Sequence, residues 1–231
     1  MIPAKNEAKL IGRLLISLTM QDFPQMPNTN VLVADAASTD GTPGIVLSYT
    51  DRLRVRVIPG GLPSVGRNAG ARLADRRYLL FLDADVELRD PTLLRRVVEL
   101  MDRKRLHCAT TDIAASDGGP MDHLMYFANN LVQHFSPWFF LPFSTGMFML
   151  FDRKVFEELG GFHEQALFAE DYLLSKKVSP RRFGIVPGRI YTTSRRFRKM
   201  GHWTMVRLFL KTALNSGNER HFFQDHKYWP T

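Results

Sequence analysis

The sequence predicts an α/β protein with a mostly parallel central sheet flanked by helices. Short apolar runs ending in acidic or turn residues alternate with segments whose apolar residues recur at helical spacing, as far as about residue 116. Hydrophobic residues make up 45% and charged residues 23% of 231 positions, which suits one domain with a sizeable core and disfavours extended disorder.

Taken in order, residues 7–20 (EAKLIGRLLISLTM) place Leu10, Ile11, Leu14, Leu15 and Leu18 on one helical face. Residues 30–36 (NVLVADA) are a short strand running into an aspartate. Thr42-Pro43 reads as an N-cap followed by proline at the first helical position, opening a helix to about Tyr49. Residues 54–60 are a strand, 64–75 (SVGRNAGARLAD) a helix with small residues on one side, and 78–82 a strand. Asp90-Pro91 caps the next helix, PTLLRRVVELMDRK. In the second half, 108–116 reads as a strand, MDHLMYFANNLVQHF as a helix, HFSPWFFLPF as an apolar loop and STGMFMLF as a strand. DRKVFEEL, the turn GGFHEQ and the helical AEDYLLSKKV follow. A strand pair around FGIVPGRIYTTS then leads into an amphipathic carboxyl-terminal segment, MGHWTMVRLFLKTALN. There is no internal repeat and no low-complexity linker.

The net charge of +8, concentrated late in the chain at residues 176–177, 181–182 and 195–199, favours anionic partners. No zinc-finger spacing or RNP sequence is present, so nucleic acid is not expected among them. The single cysteine, Cys108, rules out an internal disulfide framework. The opening MIPAKNEAK has no apolar segment behind a basic start, and the uncharged run 135–151 is broken by Pro137, Pro142 and Gly146, so a cytoplasmic location is expected. Trp203, Met205, Val206, Leu208 and Phe209, with Lys199, Arg207 and Lys211 alongside, make an anionic membrane surface a candidate partner.

The carboxylates carry the functional signal. In the stretch YLLFLDADVELRD, an apolar strand stops on Asp83 and Asp85, whose side chains project from one face if the chain stays extended. Two anions held that close repel, and a cation between them would relieve both. Asp35 also falls at a strand's carboxyl end, where ligands collect in parallel sheets. Solvated turn aspartates are the plainer explanation of either feature alone.

Five segments, IPAKNEAKLIGRLLISL, VADAASTDGT, GRNAGARLADRRYLLFLDADV, GGFHEQALFAEDYLL and TTSRRFRK, together and in order resemble the family 2 glycosyltransferases of GT-A fold. The resemblance runs from residue 2 to about 199. It implies a Rossmann-like nucleotide-binding part over about 1–116, an acceptor and base part over about 117–198, and a helical segment with a tail over 199–231. It implies inverting transfer of a sugar from a nucleoside-diphosphate sugar, UDP-linked by preference, to a hydroxyl of a glycan or lipid-linked acceptor.

By that resemblance Asp83-Ala84-Asp85 is the DXD motif, with Asp85 holding Mg²⁺ or Mn²⁺ and Asp83 contacting the ribose or an aqua ligand. Pro3 and Glu7 line the base and ribose, Asp35 accepts from a pyrimidine ring NH, and Arg67 and Asn68 reach toward the nucleotide. Gly66 and Gly70 permit close backbone approach. Asp171 is the general base, with Glu170 adjacent to it and turned about 100° away. Arg195 and Arg196 approach the diphosphate, the resemblance leaving open which one grips it; His202 is a weaker candidate. The aromatics of residues 135–143 suit a sugar, a lipid chain or the core equally.

One departure stands out: Met1 lies where the family's central strand should be ending, so either the true start lies upstream or a central strand is lacking and its neighbours must close the gap. Two other readings compete. LFLDADVE also resembles the aspartate motif of haloacid-dehalogenase-like phosphatases, although no second aspartate pair follows a later apolar strand. A non-catalytic protein binding nucleotide sugar or an anionic membrane would keep Asp35 and Arg67 without needing Asp171.

Overall fold

The structure, a computed structural model, describes residues 1–224. Strands β1 (Ile2–Ala4), β2 (Asn30–Asp35) and β3 (Arg54–Pro59) run parallel in the order β1-β2-β3. Parallel neighbours need crossovers, and α1 (Ile11–Thr19) and α2 (Thr42–Leu47) supply them. The interior of strand β2, residues 31–34, is apolar because both its faces are covered. Val31 and Val33 join α1 and α2 in the main core, while Leu32 and Ala34 pack on the opposite side, where α3 (Pro63–Arg72) lies.

The remaining strands are β4 (Tyr78–Leu82), β5 (Val86–Glu87), β6 (Cys108–Ala115), β7 (Phe148–Asp152) and β8 (Phe183–Thr192), in the order β4-β7-β6-β8-β5. Pairs β4–β7, β6–β7 and β5–β8 are antiparallel, but most paired residues of the protein lie in parallel pairs. The expected central gap is closed. Met1 donates its backbone nitrogen to the Leu80 carbonyl at 2.7 Å and accepts from the Leu82 amide at 3.0 Å, which seats β1 between β2 and β4. Helix α3 crosses this seam closely, with Gly66 against Ala34 and Gly70 against Met1. These glycines therefore serve helix-on-sheet packing.

Helix α4 (Leu93–Lys104) covers the main core, and α6 (Arg153–Glu158) brings Phe156 onto Phe81, Phe151 and Phe162 on the other face. Helix α5 (Pro120–Phe135) and α7 (Glu170–Ser175) precede the carboxyl-terminal pair α8 (Arg195–Met200) and α9 (His202–Leu214). Phe197 of α8 and Met205 of α9 belong to the main core, and position 198 lies inside α8. Residues 225–231, the end of the expected tail, lie outside the described residues. No helix among the described residues is long and apolar enough to cross a membrane.

Several boundaries differ from the sequence reading for local reasons. Helix α1 starts at Ile11 because residues 7–10 form a turn, with the Glu7 carbonyl accepting from the Leu10 and Ile11 amides. Thr42 lies inside α2, after Gly41 at a φ of 87°. The strand pair expected around residues 183–194 is one strand, β8, whose register against β6 shifts between Thr111 and Asp112 opposite Pro187-Gly188.

Gly60 tests how tightly the sheet edge is packed, since a Cβ there would lie 2.6 Å from the Ala34 carbonyl oxygen. Gly60→Ala should lower unfolding free energy by about 1–3 kcal/mol in urea titrations. Gly44→Ala, facing open space within α2, should raise it by about 0.5–1 kcal/mol.

Candidate active site

The site begins at the carboxyl ends of β1, β2 and β4. Asp35 closes β2, and its Oδ2 accepts the Ser38 amide at 3.0 Å, forming the Asx-type turn the sequence suggested. Its Oδ1 is buried without a hydrogen-bond partner. Such an atom loses hydration for nothing unless a ligand donor reaches it. Pro3 pairs in register with Ala34, one residue before Asp35. Glu7 follows in the loop after β1, which is tied to the β2–α2 loop through bonds from the Glu7 amide to Thr42 and the Ala8 amide to Asp40.

Asp83 and Asp85 do not sit on extended chain. Asp83 directly follows β4, and Ala84 and Asp85 form a turn into β5, so the two carboxylates meet different partners. Asp83 Oδ1 lies 2.5 Å from Arg67 Nη2. Asp85 instead faces Thr193 Oγ1 at 3.4 Å and Arg195 Nη2 at 3.6 Å. Burial, followed by repulsion from Asp83 and Glu7, pushes the Asp85 carboxyl up to about 6, with Arg196 and Arg195 only partly opposing it. Ala84 is buried in the core and anchors the turn.

Arg67, on α3, is 2% exposed. Its guanidinium spans Asp83 and Glu170, reaching Glu170 Oε1 through Nη1 at 2.5 Å, and Nη2 also donates to the Gly146 carbonyl at 3.4 Å. Burial disfavours this charge, but Asp83, Glu170 and Asp171 outweigh burial and hold its pKa above the ordinary arginine value. Arg67 is thus enclosed by protein carboxylates and joins the DXD turn to α7. Asn68, adjacent to it, turns the other way. Its amide bonds Phe162 at both backbone groups and Glu164 Oε1, pinning the GGFHE turn.

Glu170 and Asp171 diverge as helical neighbours must: Glu170 is spent on Arg67, while Asp171 faces the loop before β7. Asp171 Oδ2 accepts the Gly146 amide at 2.6 Å and Oδ1 accepts the Tyr172 amide at 2.8 Å. Burial and the Glu170 charge push Asp171 up to about 7, against Arg67 and the two amides. Each of its oxygens keeps a lone pair for an incoming proton.

On the opposite wall, Arg195 forks onto Glu7 at 2.6 and 3.1 Å, and that bond, against partial burial and with help from Asp85, raises its pKa. Glu7, Arg13, Asp40, Thr193, Arg195 and Arg198 line a cleft of about 460 Å³. Arg196 is half-buried within electrostatic range of Asp85. His202 bonds Asp122 Oδ1 at 2.9 Å, and Asp122 in turn accepts the Gly119 amide at the start of α5, so His202 is structural.

Gly146 and Thr193 are site residues that the sequence reading missed. Glycine in STG and threonine in TTS carry no chemical signal, and only their placement beside Asp171 and Asp85 reveals them.

No group of three or more His, Cys, Asp or Glu side chains able to hold a metal occurs among the described residues. An ion at Asp85, with Asp83 close by, would therefore take most of its remaining ligands from phosphate and water. Mg²⁺ and Mn²⁺ accept such sets. Arg67→Met should cost about 3–5 kcal/mol of unfolding free energy in urea melts, because it strands two carboxylates at a buried position.

Comparisons with known proteins agree with this architecture. A model of glycosyl transferase family 2 matches residues 1–160. The poly(ribitol-phosphate) beta-N-acetylglucosaminyltransferase TarS of Staphylococcus aureus is 36% identical over 96 residues, 40% of this chain and 17% of that protein. Validoxylamine A glucosyltransferase of Streptomyces hygroscopicus is 40% identical over 89 residues, 37% of this chain and 21% of that protein. The matched stretches thus span about a fifth of these relatives' own lengths. Among solved structures, S. aureus TarS 1-349 in complex with UDP superposes with a TM-score of 0.66 at 22% identity, covering 84% of this chain and 59% of that one. The mannosyltransferase PcManGT of Pyrobaculum calidifontis in complex with GDP-Man and Mn²⁺ gives 0.68 at 23% identity, covering 90% and 59%. These likenesses show a GT-A fold. The phosphatase reading falls, since the family match includes the DXD segment and Asp83 is held in an ion pair with Arg67. With more than half of its length matched by the family model, the chain belongs to glycosyl transferase family 2.

Proposed function

We propose that this chain transfers a sugar, with inversion, from a nucleoside-diphosphate sugar to an acceptor hydroxyl. The observation that carries the reading is the Arg67 bridge, which brings the DXD turn and the Glu170-Asp171 pair into one site although the bridged residues are far apart in sequence.

In this reading the base lies near Pro3 and Asp35, with the unpartnered Asp35 Oδ1 accepting a ring NH. A uracil supplies that donor, so a UDP-sugar is the preferred substrate, and the complexes of TarS with UDP and UDP-GlcNAc support the choice. Glu7 and Asp83 approach the ribose. Asp85, with Asp83 beside it, would hold Mg²⁺ or Mn²⁺, which when bound offsets charge on the leaving diphosphate. Arg195 or Arg196 adds a guanidinium on the far side, and for Arg195 this means exchanging Glu7 for phosphate oxygens.

Asp171 takes the acceptor proton. As the hydroxyl oxygen bonds to the anomeric carbon, the bond from that carbon to the diphosphate breaks, and its electron pair leaves with the diphosphate. A base titrating near neutrality suits the task, since a sizeable fraction is ionised at neutral pH yet it is basic enough to accept a proton. The acceptor is a glycan or a lipid-linked hydroxyl compound reached from the side of residues 135–147.

Three measurements test the scheme. A panel of nucleotide sugars with and without Mn²⁺ should raise Tm saturably for one donor, and Asp85→Asn should remove the Mn²⁺-dependent part. Asp171→Asn should keep donor stabilisation while release of nucleoside diphosphate falls about 10²–10⁴-fold; unchanged turnover would dismiss Asp171 as the base. Turnover should climb with pH through about 7 and level off above it, because the active form of Asp171 is deprotonated. Saturable donor binding without any turnover would favour a binding protein.

A further inference from the structure

We infer that the outward face of α5 and the loop after it form a lipid-docking surface that seats the acceptor side of the site on an anionic bilayer. The acceptor part of this inference rests on the proposed function; the docking itself does not.

A helix lying on a soluble domain normally turns its apolar stripe inward. Helix α5 keeps Tyr126 and Gln133 on its buried side and leaves Leu124, Phe127, Leu131 and Phe135 exposed at near-helical spacing along its outer side. The stripe continues past the helix end, where Trp138, Phe139 and Phe140 are 78%, 73% and 79% exposed. Phe140 holds a φ of 59°, a conformation that costs a bulky residue energy and is kept here with its ring in solvent. Monomeric proteins rarely expose a continuous patch of this kind without a partner for it.

Charge favours lipid as that partner. Between residues 119 and 147 the sole acidic side chain is Asp122, which is buried and bonded to His202. Exposed cations lie instead on the elements that pack against α5 and the loop after it. Arg181 lies on the turn Pro180–Arg182 that packs beside the turn Ser136–Phe139, and Arg207 and Lys211 lie on α9, whose first residue binds α5 through His202–Asp122. Helix α9 adds exposed Trp203, Leu210 and Leu214. Aromatic tips and an apolar helix face bordered by arginine and lysine are what an interfacial, non-spanning element requires.

The same segment leads into the site. Phe143 packs toward Tyr172 with ring centroids 6.1 Å apart, and the Gly146 amide holds Asp171. A bilayer under α5 would therefore present a lipid-anchored hydroxyl compound on the side of the base.

Vesicle sedimentation of the full chain tests the inference, using phosphatidylcholine alone and with phosphatidylglycerol added. Wild type should pellet with the anionic vesicles at low salt. The surface variant Trp138→Ser/Phe139→Ser/Phe140→Gly should bind on the order of tenfold less or weaker, as expected from losing partial burial of three aromatics. Donor-induced Tm elevation, followed on the same samples, should be equal in the two proteins. No pelleting of wild type, or equal pelleting of the variant, overturns the inference. So does self-association of wild type that the variant abolishes without any vesicle binding, which would assign the face to a second copy of the chain. Donor binding without vesicle binding would remove the docking surface and spare the proposed function, and the converse would do the reverse.

Discussion

A guanidinium buried at the centre of the molecule sets the conditions for everything around it. Arg67 is withdrawn from water and would be untenable there alone, so the fold must deliver carboxylates to it. It receives Asp83 from the end of β4 and Glu170 from the start of α7, each at 2.5 Å. A planar fork can serve two carboxylates at once, which a lysine ammonium on a flexible stem does less well. Gly146 leaves room for it, since a Cβ there would collide with the guanidinium. The site and the fold thus share one electrostatic constraint, and neither is complete until segments from both halves of the chain have met.

A division of labour follows within the two acidic pairs. In each, one member is neutralised by Arg67: Asp83 in the DXD turn and Glu170 at the start of α7. The other member stays poorly compensated. Asp85 and Asp171 are both pushed up by burial and by an acidic neighbour, to about 6 and about 7. Of these four carboxylates, two are thus neutralised by Arg67 and two are left with little opposing charge. Asp35 repeats the pattern on a smaller scale, with one oxygen bonded in its turn and the other buried without a partner.

Much of this was legible in the residues. The alternation of strands and helices, the apolar seam of β2 and the acidic ends of β2 and β4 follow from periodicity and turn chemistry, both of which act over a few neighbours. The reading failed where a side chain's role depends on what faces it. The resemblance has Asn68 reaching toward the nucleotide with Arg67, whereas its amide braces the turn at Phe162 and Glu164, because adjacent helical residues point about 100° apart. Asp83 and Asp85 would share one face on an extended chain, yet the chain turns at Ala84. Met1 makes two backbone bonds to β4 at the place where the sequence reading leaves a gap, a pairing that no local pattern announces.

By itself, then, the sequence determined the fold class, most of the helices and strands and which acids stand near strand and helix ends, since these depend on local propensity and hydrophobic period. Only the tertiary structure decided which acid of each pair is neutralised, that Gly146 and Thr193 belong to the site, and that the apolar stripe of α5 faces outward. Those outcomes are set by burial and by partners distant in sequence. An amphipathic pattern says that a helix has an apolar face, but which way that face points depends on what the rest of the chain packs against it.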